Sequence, residues 1–353
     1  MTADDVRALA RECGFELCGV ARAEPVAERE WYRQWVAAGF AGEMGYLTGR
    51  RAELREDPRR LLASARSIIC LGRLYNTPWP YSTRFDQEDR GWISRYAWGE
   101  DYHHEMRRGL ERLDASLREW TGAAFESKVC VDTAPLVERS YARMAGLGWI
   151  GNNTCLINQG SGSWFFLGEL LVSLNIPPDE PPPDRCGTCT RCIEACPTGA
   201  IIPAPESAAG RYTIDSRLCI SYLTIELRGP VPDEVRSGMG GHVFGCDICQ
   251  DVCPWNRRAP STSRAAYQPR HHAPRLEEMA GITEEEFRAM FGGTPVSRAR
   301  YSGFLRNVAI AMGNRGLECF RAPLERLAAS DDPVVAEHAQ WGLRRIRRHD
   351  RPD

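Results

Sequence analysis

A single lysine, Lys128, stands in a chain of 353 residues, so arginine carries nearly all of the positive charge. Arg-rich codon usage accounts for this without special arginine chemistry. Acids and bases almost cancel, leaving a net charge of -2. The whole chain therefore has no field that would attract a nucleic acid, and such a partner needs a local basic patch. No apolar run reaches the ~20 residues of a membrane-spanning helix. Residues 1–22 hold no long apolar run and no twin-arginine signal, which argues against export and for the cytoplasm. They begin instead with Thr2-Ala3-Asp4-Asp5, a helix N-cap with acids in the first turn. Cytoplasmic thiols stay reduced, so the 14 cysteines are expected to bind metal rather than form disulfides.

What is present divides into three parts. Hydrophobic residues make up 43% and charged residues 26%, as in an ordinary folded protein, and the length suggests two or three units. Residues 1–177 alternate helical patterns, such as 105–120, with strand-like runs at Ser67-Ile68-Ile69-Cys70-Leu71 and Lys128-Val129-Cys130-Val131. The apolar run 167–174 fits strand or helix equally. This alternation suggests an α/β or α+β domain, of which α/β is the expectation for the N-terminal unit. Prolines crowd residues 177–183 and predict a stiff extended linker. Residues 178–262 hold the clustered cysteines and predict a ferredoxin-like domain. Residues 263–353 read as helices: Thr283-Glu284-Glu285-Glu286 fits a capping box before Phe287. Residues 304–313 and 322–346 are amphipathic, broken by Gly and by Asp331-Asp332-Pro333. Such helix pairs suggest an all-α, HEAT-like repeat, and residues 295–353 are expected to be separable from the cysteine-bearing part. The whole reads as a multidomain α+β protein.

The cysteines carry the chemistry. Cys186-x-x-Cys189-x-x-Cys192-x-x-x-Cys196-Pro197 is the run of two-cluster bacterial ferredoxins, in which three close thiolates wrap one 4Fe–4S cubane and the fourth reaches the other. Zinc would use two thiolate pairs separated by a longer loop. The second half, Cys246-x-x-Cys249-x-x-x-Cys253-Pro254, lacks a first cysteine, since Val243 stands there, and Cys219 is the nearest substitute. The expected ligand sets are thus Cys186, Cys189, Cys192 and Cys253 for one cluster, and Cys196, Cys219, Cys246 and Cys249 for the other. Cys13, Cys18, Cys70, Cys130 and Cys319 read as small core residues, while Cys155 stays open. A two-cluster wire needs far fewer residues than this chain has, so it is expected to feed an active site in the same protein.

Several stretches resemble one family. They are Asp132-Thr133-Ala134-Pro135-Leu136-Val137-Glu138-Arg139, Ala145-Gly146-Leu147-Gly148-Trp149-Ile150-Gly151-Asn152-Asn153-Thr154, Gly162-Ser163-Trp164-Phe165-Phe166-Leu167-Gly168-Glu169-Leu170, Cys219-Ile220-Ser221-Tyr222-Leu223-Thr224-Ile225-Glu226, and Gly245-Cys246-Asp247-Ile248-Cys249-Gln250-Asp251-Val252-Cys253-Pro254-Trp255-Asn256. Together they resemble the epoxyqueuosine reductases, which reduce the epoxide of epoxyqueuosine at the tRNA wobble position in the last step of queuosine biosynthesis. The resemblance implies cobalamin beside the two clusters, a tRNA substrate, and an external electron donor such as flavodoxin or ferredoxin. A monomer with no membrane contact is expected. Asp132 matches the family's proposed general acid, since a partly buried carboxyl can hold a proton for the epoxide oxygen near neutral pH.

Arg55, Tyr96, Asn153, Ser221 and the loop Cys246, Asp247, Ile248 and Cys249 align with cobalamin-contacting positions, and Asp132 is counted with them. A cobalamin motif Asp-x-His-x-x-Gly is absent; Asp101-Tyr102-His103-His104-Glu105-Met106 comes nearest and lacks the Gly. That suits a family thought to bind cobalamin without an axial histidine. Trp149, Trp164, Phe165 and Phe166 read as core rather than cofactor-stacking residues. Two arginine groups in the last unit, at 298, 300, 306, 315, 321 and 326 and at 344, 345, 347 and 348, are expected to meet the tRNA backbone. The alternatives are a cobalamin-dependent reductive dehalogenase and a ferredoxin-like electron carrier. The first would ordinarily carry an export signal and needs no helical tRNA-binding unit.

Overall fold

The computed structural model describes residues 1–205 and 210–349, with the side chains of 347–349 excepted. Helix α1 (Ala3–Glu12) starts at the expected cap: Thr2 and Asp5 satisfy each other's backbone N–H groups in a capping box. Strands β1 (Leu17–Arg22), β2 (Ser67–Leu74), β3 (Ser127–Cys130) and β4 (Phe165–Val172) form a sheet in the order β1-β2-β4-β3. The ambiguous run is therefore a strand, placed centrally and paired on both edges. Every pairing in this sheet is antiparallel. The N-terminal part is thus α+β rather than the expected α/β, because alternating helix and strand patterns carry no information on strand direction.

Both faces of the sheet are covered. Helix α2 (Tyr102–Thr121) lays Met106, Leu110, Leu113 and Leu117 against Val20, Ile69, Leu71, Leu170 and Val172. Burial of each such side chain contributes ~1.5–3 kcal/mol. Helix α3 (Glu138–Met144) packs Tyr141 and Ala142 on the opposite face, against Ile68, Cys70, Cys130 and Leu171. The chain leaving α3 presses on β1 at Gly19, where a Cβ would lie 1.9 Å from the Ala145 carbonyl oxygen. Trp149, Trp164, Phe165 and Phe166 are buried, as core residues should be. The proline-rich linker forms neither helix nor strand and is pinned to β1: Asp179 N–H donates to the Val20 carbonyl at 2.8 Å, and its carboxylate accepts from Val20 N–H at 2.8 Å.

The remaining chain builds a second packing centre. Helix α4 (Ile220–Ile225) follows Cys219. Helices α5 (Arg300–Arg315), α6 (Arg321–Ala328) and α7 (Pro333–His349) come last. α5 ends at Gly316, whose φ of 64° suits a residue without a Cβ, and Asp332 caps α7 through Val334 N–H at 2.9 Å. These helices do not have a core of their own. Phe304, Val308 and Met312 of α5, Leu324 of α6 and Leu343 of α7 share one cluster with Trp92, Ile93, Trp98, Val243 and Phe244. Ile310 and Trp341 share another with Ile220, Leu223 and Met239.

The structure corrects three expectations here. Residues 295–353 are not separable, since their removal would uncover Trp92 and Phe244 next to the cysteine loop. Arg306 does not face solvent: it is fully buried, and its guanidinium donates to the carbonyls of Leu223 (2.6 Å), Leu227 (2.9 Å) and Gly229 (2.8 Å). Cys319 is exposed rather than core, because its turn points Phe320 inward instead. Cys13, Cys70 and Cys130 are buried as expected and Cys18 is half-buried. Arg347 and Arg348 lie outside the described side chains.

Candidate active site and cluster ligands

Cys186, Cys189, Cys192 and Cys253 line one cavity of about 250 Å³, walled by Asn152, Asn153, Ile157 and Trp255. This is the first expected ligand set, brought together from loops more than fifty residues apart by position number. Trp255 stands edge-on to buried Trp149 at 5.0 Å and closes the side toward the core. The second set also converges: Cys246 interacts electrostatically with Cys219 and Cys196, and Cys249 with Cys246 and Cys219. Burial pushes the Cys219 and Cys246 thiols up, Cys192 to about 12 and Cys253 to about 11, so loading an iron–sulfur cluster must displace protons. Among the described residues no three His, Cys, Asp or Glu side chains close on a single-ion centre. The thiols instead surround a space, which suits a cubane better than one zinc ion. Cys155 packs against Cys249, a contact its sequence position left open.

A second cavity, of about 310 Å³, opens between Trp31, Tyr32 and Trp35 of the helix Arg29–Ala37, Tyr46, Arg55, Asp132, Glu138 and the strand Tyr212–Ile214. Arg55 holds its rim by donating to the carbonyls of Tyr46 (2.9 Å) and Arg51 (3.1 Å). Asp132 follows β3 with φ at 41°, a left-handed conformation that costs a non-glycine residue energy. Its carboxylate accepts from His103 Nε2 at 2.9 Å, and His103 Nδ1 donates to Asp101 at 2.6 Å. Asp101 is the N-cap of α2, so the helix start fixes the imidazole. Arg298 Nη1 lies 3.9 Å from the same Asp132 oxygen, while its Nε binds Glu226 at 2.8 Å and its guanidinium sits 5.1 Å from the Tyr46 ring centre.

These contacts decide where protons sit. Burial pulls the His103 imidazolium down, but the hydrogen bonds it donates to Asp101 and Asp132 outweigh it and raise it to about 9. Burial pushes Asp132 up, yet His103 and Arg298 together hold it below the usual carboxylate range. These contacts favour Asp132 as the carboxylate and His103 as the imidazolium at neutral pH, whereas a protonated Asp132 was expected. A neighbouring acid does hold a proton: burial, then the Asp132 charge, raises Glu138 to about 8. Glu169, fully buried on β4 beside it, is raised further by burial and by Glu138.

The other expected contacts are not among the residues that line this cavity. Tyr96 is half-buried against Phe244, with Arg298 and Asp132 as its charged neighbours. Asn153 donates to the Cys249 carbonyl at 3.3 Å, and Ser221 hydrogen-bonds to the Cys219 sulfur. Ile248 is half-buried at the start of the turn Ile248–Asp251. The Asp247 carboxylate points inward, 1% exposed, accepting from Ser94 Oγ (2.5 Å), Arg95 N–H (2.8 Å) and Trp92 Nε1 (3.2 Å). It anchors the cysteine loop. Sequence reasoning gave no role to His103, Glu138 or the Arg298 contact with Asp132. Only His103 left a trace, in the fragment Asp101-x-His103.

The comparisons with known proteins now bear on this arrangement. Residues 55–133 match the profile described as epoxyqueuosine reductase QueG, DUF1730, a span that runs from Arg55 through His103 to Asp132. Residues 185–256 match the 4Fe-4S double cluster binding domain and enclose all eight expected ligands. An epoxyqueuosine reductase of Xanthomonas campestris pv. campestris is 40% identical, over 96% of this chain and 94% of its own. The chain belongs to the epoxyqueuosine reductase family. Among solved structures, an epoxyqueuosine reductase with an epoxyqueuosine-modified tRNA-Tyr stem loop superposes with a TM-score of 0.86 at 28% identity, covering 97% of this chain and 89% of the other. The epoxyqueuosine reductase of Bacillus subtilis, with its catalytic aspartate loop swung out of the active site, gives 0.84 at 27% identity, covering 97% and 90%. Membership accounts for a chain that joins a double-cluster segment to a polar cleft.

Proposed function

We propose that this protein reduces epoxyqueuosine to queuosine in tRNA, with two 4Fe–4S clusters supplying electrons and cobalamin bound at the cleft. Removing an epoxide oxygen as water takes two electrons and two protons. The observation that carries the reading is that one fold holds both supplies: eight converging thiols, and a carboxylate with its proton partner on a cavity wall. When bound, cobalamin supplies the reducing chemistry at the substrate carbon. The chain's own residues do the rest. Asp132 faces the cleft and passes the proton held on His103 to the epoxide oxygen as its C–O bond breaks.

The cavity wall suits a ligand with a polar rim. Glu138 Oε1 and Thr213 Oγ1 are buried there without a hydrogen-bond partner, which amide groups such as those fringing a corrin would satisfy. Arg55, Tyr96, Asp132, Asn153, Ser221 and the Cys246–Cys249 loop are the residues assigned to hold it. We place the cofactor with residues 1–177, the clusters with 178–262, and a HEAT-like tRNA-contacting unit with 263–353. Family membership favours this over the dehalogenase and electron-carrier alternatives. Among the described residues no helix is long and apolar enough to cross a membrane; a cytoplasmic monomer served by an external donor fits the reading. The test is anaerobic turnover of epoxyqueuosine-containing tRNA by protein loaded with iron, sulfide and cobalamin. Queuosine should appear by mass spectrometry of the digested tRNA; spectroscopically loaded protein that converts none would overturn the proposal.

A further inference from the structure

A further cavity is neither the cleft nor a cluster site. It is an open groove of about 890 Å³ between residues 76–84 on one wall and residues 191–195, 251–252 and 257–261 on the other. Arg191 lines both this groove and the cavity of the first ligand set, and three lining residues, Arg191, Ala195 and Val252, directly precede the ligands Cys192, Cys196 and Cys253 in sequence. The groove thus backs onto the first cluster, whose loop from Pro183 to Arg191 is largely exposed. The Cys246–Cys249 loop of the second ligand set is tied through Asp247 to Ser94 and Arg95, next to Tyr96, which has Asp132 as a charged neighbour.

The groove also has a sign. Arg84, Arg191 and Arg257 are exposed on it, and none is paired with a carboxylate among the described residues, where many other arginines are. Of the two acids present, Asp251 is buried and turned inward to Ser82 Oγ and Thr83 N–H, leaving Glu194 as the exposed one. Trp79, 44% exposed, stands on the opposite wall as a large flat contact surface. Aromatic and arginine side chains of this kind dominate the energetics of protein interfaces.

We infer that this groove docks a small acidic protein that carries one electron at a time, and that the first cluster is the entry point. In each encounter the carrier is oxidised by one electron and the cluster held by Cys186, Cys189, Cys192 and Cys253 is reduced by one, with no proton or group transferred. The groove shares no lining residue with the cleft, so carrier and tRNA can be held together. The inference rests on the two-cluster part of the proposed function and is independent of cobalamin and epoxide chemistry.

The test is the rate of cluster bleaching after anaerobic mixing of the full, cluster-loaded chain with a reduced flavodoxin, the acidic carrier used as probe. Reduced methyl viologen, a small cation, is the control. For the wild type, the flavodoxin rate should fall steeply as salt rises, because steering between opposite charges is screened. Arg84→Glu combined with Arg257→Glu should slow flavodoxin at low salt by roughly tenfold or more without slowing the cationic viologen. A flavodoxin rate within twofold of wild type would overturn the inference. So would variants that keep the flavodoxin rate but bind a tRNA stem loop more weakly, which would make the groove a nucleic-acid surface. If the double variant loads its cluster poorly, hydrogen exchange on the wild type decides: bound oxidised flavodoxin should protect residues 79–84 and 257–261, and protection elsewhere overturns the assignment.

Discussion

At the scale of single residues the cleft is a problem in proton placement. Asp132 was legible as a functional residue only through the family stretch around it, and its charge state was not legible at all. Asp101, His103, Asp132 and Arg298 are up to 197 positions apart (298 − 101), and the ionisation of each depends on the others' distances. If Asp132 delivers the proton, Asp132→Asn should retain clusters and fold but lose about 10²–10⁴-fold in single-turnover rate; a rate within threefold of wild type removes it from the mechanism. His103 gives the pH dependence. Its folded pKa is raised to about 9 against an ordinary ~6.5. Its stabilising charge is therefore fully present below ~6.5 and lost as pH rises through about 9. Turnover should decline over the same upper range, and His103→Gln should remove that limb from the pH–rate profile. An unchanged limb in the variant would assign it to another group.

At the scale of elements, local patterns carried further. The caps at Thr2 and Thr283 form as their residues imply, because a capping box is closed within one helical turn. The cysteine runs also carry local geometry, and the structure groups them as expected. Cys253→Ser should therefore damage the cluster held by Cys186, Cys189 and Cys192 and spare the other, while Cys219→Ser should do the reverse. Iron counts with electron paramagnetic resonance of each variant decide between this and any other pairing. Helix α7 carries a further pH effect. His338 is fully buried, accepts from Val231 N–H on Nε2 at 3.1 Å, and directs Nδ1 at the Val334 carbonyl at 2.6 Å. Burial lowers it to about 4. A histidine kept neutral by the fold contributes stability above its unfolded pKa, which is lost as pH falls from ~6.5 toward 4 at up to ~1.4 kcal/mol per pH unit. Melting temperature should drop from pH 7 to pH 5 in the wild type, and less in His338→Gln.

At the scale of the molecule, the shared cores change which experiment can locate the tRNA. Truncation at residue 295 would strip Trp92 and Phe244 of their partners and orphan the carbonyls that Arg306 binds, so a fragment should aggregate rather than report on binding. Surface charges can be removed instead. Arg300, Arg326 and Arg344 are exposed, and converting all three to Glu should weaken binding of a tRNA stem loop. If each meets one phosphate, the slope of log affinity against log salt should shrink by ~0.7–0.9 for every phosphate that is no longer neutralised. An unchanged affinity and slope in folded protein would place the nucleic acid elsewhere. Recognition of the wobble base should survive these changes, since phosphate contacts position without reading sequence.

Spacing and pattern along the chain were enough to group the cysteines into two expected ligand sets, to mark two of the four sheet strands and two helix caps, and to point to a family that works on tRNA. Such features are written over a few residues or carried by long matching stretches. Folding in three dimensions settled the antiparallel sheet, the fusion of the last helices with the cysteine loop, and the fates of two neighbouring arginines. Arg298 reaches the Asp132 carboxylate at the cleft while Arg306 is sealed among carbonyls, although both read alike as surface cations. It also brings His103 and Arg298 to the Asp132 carboxylate, an arrangement that favours the proton on His103. Charge, burial and hydrogen-bond partners are set by what lies across space, and no local pattern records them.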